Sequence, residues 1–186
     1  MFGGRNAVVV AHPDDETLWA AGLMLRHPGN WTVVCCSIPR LDPVRAWKFY
    51  AACEDLGAFG RVLPYTESGP ADHLVNLDGL DLGCFDLVAT HNEAGEYGHV
   101  HHQQVHEFVK STYPGPIVTF GYGSGSNYRI ELTDAESLRK GTALRRYNHW
   151  TRYGGGLTRK HDALSHRYYE VEGIDPRIDT YRLPAV

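Results

Sequence analysis

Ala7-Val8-Val9-Val10-Ala11-His12-Pro13-Asp14-Asp15-Glu16 is the stretch on which the reading of this chain turns. The apolar run over 7–11 predicts a buried strand, and the polar run that follows leaves the strand's carboxyl end. His12 and Asp15, three residues apart at the entry to a helix, face one side of its first turn, whereas Asp14 is rotated away from them. The spacing assigns Asp15 to a metal ion and leaves Asp14 as a base that takes a proton from water. A plainer alternative is a helix N-terminus, since Asp14, Asp15 and Glu16 all suit the positive end of a helix dipole.

A second polar segment shifts that balance. Thr90-His91-Asn92-Glu93-Ala94-Gly95-Glu96-Tyr97-Gly98-His99-Val100-His101-His102-Gln103-Gln104-Val105-His106 follows a strand predicted over 85–90 and precedes a helix predicted over 102–112. Loops that leave the carboxyl ends of parallel strands converge on one crevice, so these histidines meet His12 despite the sequence gap. His99 and His102 repeat the three-residue spacing. His102 and His106, four apart on a helix, form half of a helix-borne zinc motif but lack its intervening glutamate. Three protein ligands with one open position distinguish a catalytic zinc from a structural one, and a carboxylate beside them suits hydrolysis. His27, His73, His149, His161 and His166 read as surface or hydrogen-bonded residues.

Strands and helices alternate along the chain. Strands are predicted over 7–11, 31–37, 61–64, 85–90 and 116–121, and helices over 17–26, 42–56 and 102–112, the second with Asp42 as cap, Pro43 in its first turn and Gly57 past its end. This is the pattern of an α/β fold, a Rossmann-like three-layer αβα arrangement around a mostly parallel sheet. No Gly-x-Gly-x-x-Gly follows the first strand, which speaks against a dinucleotide cofactor. Residues 127–132 alternate like an edge strand, and Thr133-Asp134-Ala135-Glu136 has capping-box spacing for a helix reaching about Tyr147.

With 186 residues, 42% of them hydrophobic, one domain over 1–186 is expected. A net charge of −4 argues against a nucleic-acid partner, and the basic stretch Arg139, Lys140, Arg145 and Arg146 reads as the solvated face of a helix. No secretory leader or membrane-spanning run is legible, and Cys35, Cys36, Cys53 and Cys84 show no Cys-x-x-Cys spacing, so reduced core thiols in a cytoplasmic protein are expected.

Ala-His-Pro-Asp-Asp-Glu after a first strand, with Tyr-Gly-His-x-x-His before a later helix, resembles the LmbE-like, or PIG-L, family of zinc-dependent de-N-acetylases, relatives of N-acetylglucosaminyl-phosphatidylinositol de-N-acetylase. The resemblance is specific over 6–26 and 85–109. It implies that one zinc ion is held by His12, Asp15 and His102, that Asp14 is the general base, that His99 stabilises the oxyanion and that Tyr97 lies near the reacting amide. An N-acetylglucosaminyl conjugate is the implied substrate. A zinc ion lowers the pKa of its water from 15.7 to about 7, and one donor aimed at the developing oxyanion contributes roughly 3 kcal/mol. Either Asp14 or a protonated His99 then protonates the amine.

Two features depart from the family. The second helix carries Arg45-Ala46-Trp47-Lys48-Phe49-Tyr50 where an arginine closely followed by glutamate is usual, so Arg40 or Arg45 is the candidate to reach substrate. The chain is also short, which implies a smaller or more open pocket. Tyr147-Asn148-His149-Trp150-Thr151-Arg152-Tyr153 precedes a glycine run, and Trp150 is a candidate sugar platform, although aromatic residues more often pack. Competing functions are a metallohydrolase of other acyl or ester substrates, and a metal-containing sugar-binding module without catalysis.

Overall fold

The central strand β1 (Asn6–Val10) is buried at every position and pairs in parallel with β2 (Trp31–Cys35) on one side and β6 (Leu87–Thr90) on the other. A strand covered on both faces has no polar side, which explains the unbroken apolar run. β4 (Phe59–Val62) extends the parallel sheet beyond β2, and β7 (Ile117–Phe120) extends it beyond β6. β9 (Ile178–Arg182) lies antiparallel between β7 and β8 (Tyr128–Glu131), giving the order β4-β2-β1-β6-β7-β9-β8. β3 (Ile38–Pro39) and β5 (Thr66–Glu67) form a separate short parallel pair. This computed structural model describes residues 2–39, 44–64, 66–67, 77, 79–121, 125–147 and 177–184; Arg40, Asp42, Pro43, Trp150 and the segment 167–172 lie outside them.

Helices cover both faces. Val8, Val10, Val33 and Cys35 point into one core with α1 (Asp15–Trp19), α2 (Ala21–Arg26), α3 (Arg45–Leu56) and α6 (Asp134–Arg146). Ala7, Val9, Val34 and Val88 point into the other, with Val105 and Val109 of α5 (Val100–Thr112). The expected three-layer αβα arrangement with a mostly parallel sheet is therefore present. α3 buries Phe49, Ala52, Cys53 and Leu56, one helical face, and ends at Gly57, whose φ of 75° needs no Cβ to be accommodated. Its first residue is Arg45, later than expected. α6 has the complete capping box, with Thr133 and Glu136 bonding each other's backbone N–H.

Three further expectations differ from the structure. The helix expected over 17–26 is divided at Ala20 (φ −116°, ψ −3°). The Gly22 N–H donates to Asp179 Oδ2 at 2.7 Å, and the Leu18 carbonyl accepts from Lys140 Nζ at 3.4 Å. The two groups that a continuous helix would join are both engaged by a buried ion pair. Lys140 is accordingly 2% exposed rather than solvated, with Nζ 2.6 Å from Asp179 Oδ1. Arg139 and Arg146 remain on the exposed face and reach Asp55. Cys35, Cys36 and Cys53 are free and buried as expected, but Cys84 is exposed. Among the described residues no helix is long and apolar enough to cross a membrane.

Candidate metal centre

The register Val9↔Thr90 brings the carboxyl ends of β1 and β6 level, so His12 and His91 leave the sheet side by side. The turn after β1 is then folded by its own carboxylates. Asp15 Oδ2 accepts the His12 N–H at 2.9 Å, and Glu16 Oε2 accepts the Asp14 N–H at 3.0 Å. Glu16 Oε1 also accepts from the Thr17 hydroxyl at 2.6 Å and from the Tyr147 hydroxyl of the α6 end at 2.7 Å. These bonds hold Asp14 in the left-handed region (φ 115°, ψ −27°), a conformation that Asp tolerates better than most residues. Asp14 stands at the N-cap of α1 without a capping side-chain bond; its Oδ2 is instead paired with Arg45 at the start of α3. The three carboxylates thus do more than serve the helix dipole. Burial pushes Glu16 up to about 7, against the bonds from Thr17, Tyr147 and the Asp14 backbone.

The loop after β6 is organised by Glu96, one of the two non-glycine residues with positive φ among those described (φ 54°). Gly95 and Gly98 flank it at φ 69° and 88°, and a Cβ on Gly95 would meet Gln103 Cγ at 2.9 Å. This bent segment, α4 (Gly95–Gly98), turns the carboxylate inward. Glu96 Oε2 accepts from His91 Nδ1 at 2.8 Å and from His102 Nδ1 at 2.5 Å, while Oε1 accepts the Asn92 N–H at 3.0 Å. Burial opposes the Glu96 charge, but His91 and His102 outweigh it and hold the carboxyl down at about 2. With its Nδ1 engaged by Glu96, His102 turns a fully buried Nε2, without a hydrogen-bond partner, to within 3.4 Å of Asp15 Oδ1; burial opposes an imidazolium there, while Asp15 and Glu96 raise the His102 pKa.

Nitrogens and oxygens of two overlapping groups lie within 4.8 Å of one another: His12, His99 and His102, and Asp15, His91 and His102. Hydrogen bonding separates their members. The Ala11 N–H donates to His91 Nε2 at 3.0 Å, and His91 Nδ1 faces Glu96. Burial disfavours an imidazolium at His91 while Glu96 and Asp15 favour one, raising its pKa to about 9. The Ala11 N–H, however, points at the nitrogen a second proton would occupy, so the hydrogen bond decides for the neutral ring. His99 Nδ1 accepts the His101 N–H at 3.2 Å, which places the proton of a neutral ring on Nε2. Burial, reinforced by His102 and His12, pushes His99 down to about 4, which favours a neutral ring with its N–H at Nε2. His102 Nε2, the Asp15 carboxylate and His12 face one another, with His12 Nδ1 3.5 Å from Asp15 Oδ2. Burial alone would raise the Asp15 pKa, but His102, His12 and His91 bring it well below the usual carboxylate range.

The structure therefore gathers His12, Asp14, Asp15, His99 and His102 in one place, with the half-exposed Tyr97 ring 5.8 Å from His99 and 5.4 Å from His102. Arg45 reaches this cluster through Asp14. His106 does not join it, because its Nδ1 donates to the His91 carbonyl at 2.8 Å. Three contributors had no signal in the spacing. Glu96 and His91 act through contacts made only in the fold, and His101 Nδ1 meets His12 Nε2 at 2.9 Å across the two loops. The adjacency of His101 to a metal-spaced histidine pair was the one available hint.

No protein-family model matches the chain. The uncharacterized protein L374 of Acanthamoeba polyphaga mimivirus is 23% identical over 158 residues, covering 67% of this chain; the chain spans 65% of the length of that relative. Among solved structures, N,N'-diacetylchitobiose deacetylase from Pyrococcus horikoshii superposes with a TM-score of 0.69 at 17% identity, over 98% of this chain and 84% of the other. A triple mutant of a deacetylase of teicoplanin biosynthesis gives 0.65 at 15% identity, over 97% and 98%. A 4-carboxy-2-hydroxymuconate hydratase from Pseudomonas putida KT2440 gives 0.55 at 14%, over 98% of each chain. The chain has the fold of the LmbE-like, or PIG-L, de-N-acetylases. Because a hydratase shares that fold, activity has to be argued from the site.

Proposed function

We propose that this chain is a zinc-dependent amidohydrolase that removes the N-acetyl group of an amino sugar of the N-acetylglucosaminyl type. The observation that carries the reading is the unpartnered, buried Nε2 of His102 facing Asp15 and His12, with Asp14 beside them. Two imidazoles and a carboxylate are a donor set that fits zinc, and the carboxylate behind His102 is the kind of partner that orients a ligating histidine. When bound, the metal supplies Lewis acidity to the amide carbonyl and acidity to the attacking water.

The chain's own groups account for the remaining steps. Asp14 takes the proton of the attacking water, and Arg45 aims its carboxylate. His99 donates its Nε2–H to the oxygen on which negative charge develops. A neutral His99 has no second proton to give, so Asp14 returns its proton to the departing amine. Tyr97 lies beside His99 and His102 at the exposed rim, where a hydroxyl donor meets the acyl group. Arg45 is placed here as the partner of the base, and the sugar contacts expected of Arg40 and Trp150 fall outside the described residues. Free cysteines and an acidic net charge suit a cytoplasmic protein with a small-molecule substrate.

Amine release from N-acetylglucosamine and a panel of its glycosides tests the proposal. Release that a chelator stops and zinc restores is expected. A protein with one zinc per chain that frees no amine from any member would refute it.

A further inference from the structure

His101 sits in the first turn of α5, between His99 and His102, and is fully buried although its spacing gave it no role. Its ring reaches from the β6 loop to the β1 loop: His101 Nδ1 and His12 Nε2 are 2.9 Å apart, with ring centroids at 5.1 Å. Its backbone is engaged as well, since the His101 N–H donates to His99 Nδ1 at 3.2 Å. One residue therefore touches two histidines of the site, His12 by its side chain and His99 by its backbone. The contrast with His102 is in what stands behind the ring. His102 is backed by the Glu96 carboxylate, whereas His12 is backed by an imidazole.

An imidazole that ligates a metal through one nitrogen carries its proton on the other, and the group that accepts this proton fixes both the tautomer and the aim of the ring. His12 turns Nδ1 to within 3.5 Å of Asp15 Oδ2, while Nε2 is the nitrogen that meets His101. Of two neutral ring nitrogens in contact, one donates and the other accepts. We propose that His101 is a positioning residue for the metal centre: its Nδ1 accepts the His12 Nε2–H and so commits His12 to ligate through Nδ1, on the Asp15 side. This rests on the zinc reading of the site and not on the identity of the substrate. A neutral acceptor suits the place. Asp15 and Glu96 already bring two carboxylates toward a divalent cation, and Asp14 is answered by Arg45, so a further carboxylate behind His12 would leave the site with excess negative charge.

Zinc affinity of the purified full chain, measured by competition with a chromogenic chelator, tests it. His101→Phe keeps a buried ring without the acceptor and should weaken zinc about 10–100-fold, and His101→Asn, whose side-chain oxygen stands near the place of Nδ1, should recover most of that loss. A residue that merely packs the two loops together would give the opposite order, with phenylalanine tolerated and asparagine not. If His101→Phe fails to fold, the parent protein decides: NMR of the histidine ring nitrogens in the zinc-loaded chain should show His12 protonated at Nε2 and bound to metal at Nδ1. The proposal is overturned, with the zinc reading intact, if His101→Phe holds zinc as tightly as the parent or if His12 binds through Nε2. A parent chain that takes up no zinc overturns both.

Discussion

Two buried clusters of charge in this chain differ in one respect, which is whether they are complete. In the cluster between α2, α6 and β9, Lys140 Nζ meets Asp179 Oδ1 at 2.6 Å and the Leu18 carbonyl at 3.4 Å, Asp179 Oδ2 takes the Gly22 N–H at 2.7 Å, and the Tyr181 hydroxyl accepts the Leu23 N–H at 3.3 Å. Charge there is answered by charge within the fold. In the cluster between the β1 and β6 loops, Asp15, Glu96, His91 and His102 are equally buried, yet His102 Nε2 has no hydrogen-bond partner. Satisfied burial ties elements together, whereas an orphaned lone pair among fixed neighbours is prepared for something from outside.

That contrast can be broken at either end. His102→Ala should bring the zinc content from about one per chain to near zero by elemental analysis and take amine release with it; retained metal would remove His102 from the ligand set. Asp14→Asn tolerates the left-handed backbone and keeps the ligands, so zinc should stay while turnover falls by about 10²–10⁴. Turnover within a few-fold of the parent would show that another group is the base. Lys140→Ala leaves Asp179 buried without its cation and should cost roughly 3–5 kcal/mol in urea unfolding, with zinc content unchanged. Loss of metal in that variant would mean that the two clusters are one system. Glu96→Gln sharpens the comparison most finely: it retains the shape but not the charge behind His102, and zinc affinity in a chelator competition should drop about 10–100-fold. An unchanged affinity would reduce Glu96 to a loop anchor.

Much of the layered fold and the main members of the site were legible because they rest on local rules. The run over 7–11, the capping box at Thr133 and Glu136, and Gly57 at the end of α3 each act through neighbouring residues. The meeting of His12 and Asp15 with the downstream histidines was legible through spacing at strand ends, and His102 among them was singled out by the family resemblance. What escaped depends on partners far along the chain. The break at Ala20 has no breaker residue and follows from Asp179 and Lys140. β9 is short and mixes Asp, Thr and Arg with its apolar residues, so it carries little strand signal until β7 and β8 flank it. Glu96 could not be distinguished from Glu93, because only its positive φ turns the carboxylate inward. The protonation of His99, left open by the sequence, depends on burial and on two neighbouring rings.

The adjacency of β1 and β6 has a consequence for how such a protein can change over generations. The reacting groups ride on two short loops from neighbouring strands, while β2, α3 and β4 are threaded outward on the far side of β1. Arg45 ties that intervening region to the base. A lineage built this way is free to vary what it recognises while inheriting its chemistry intact.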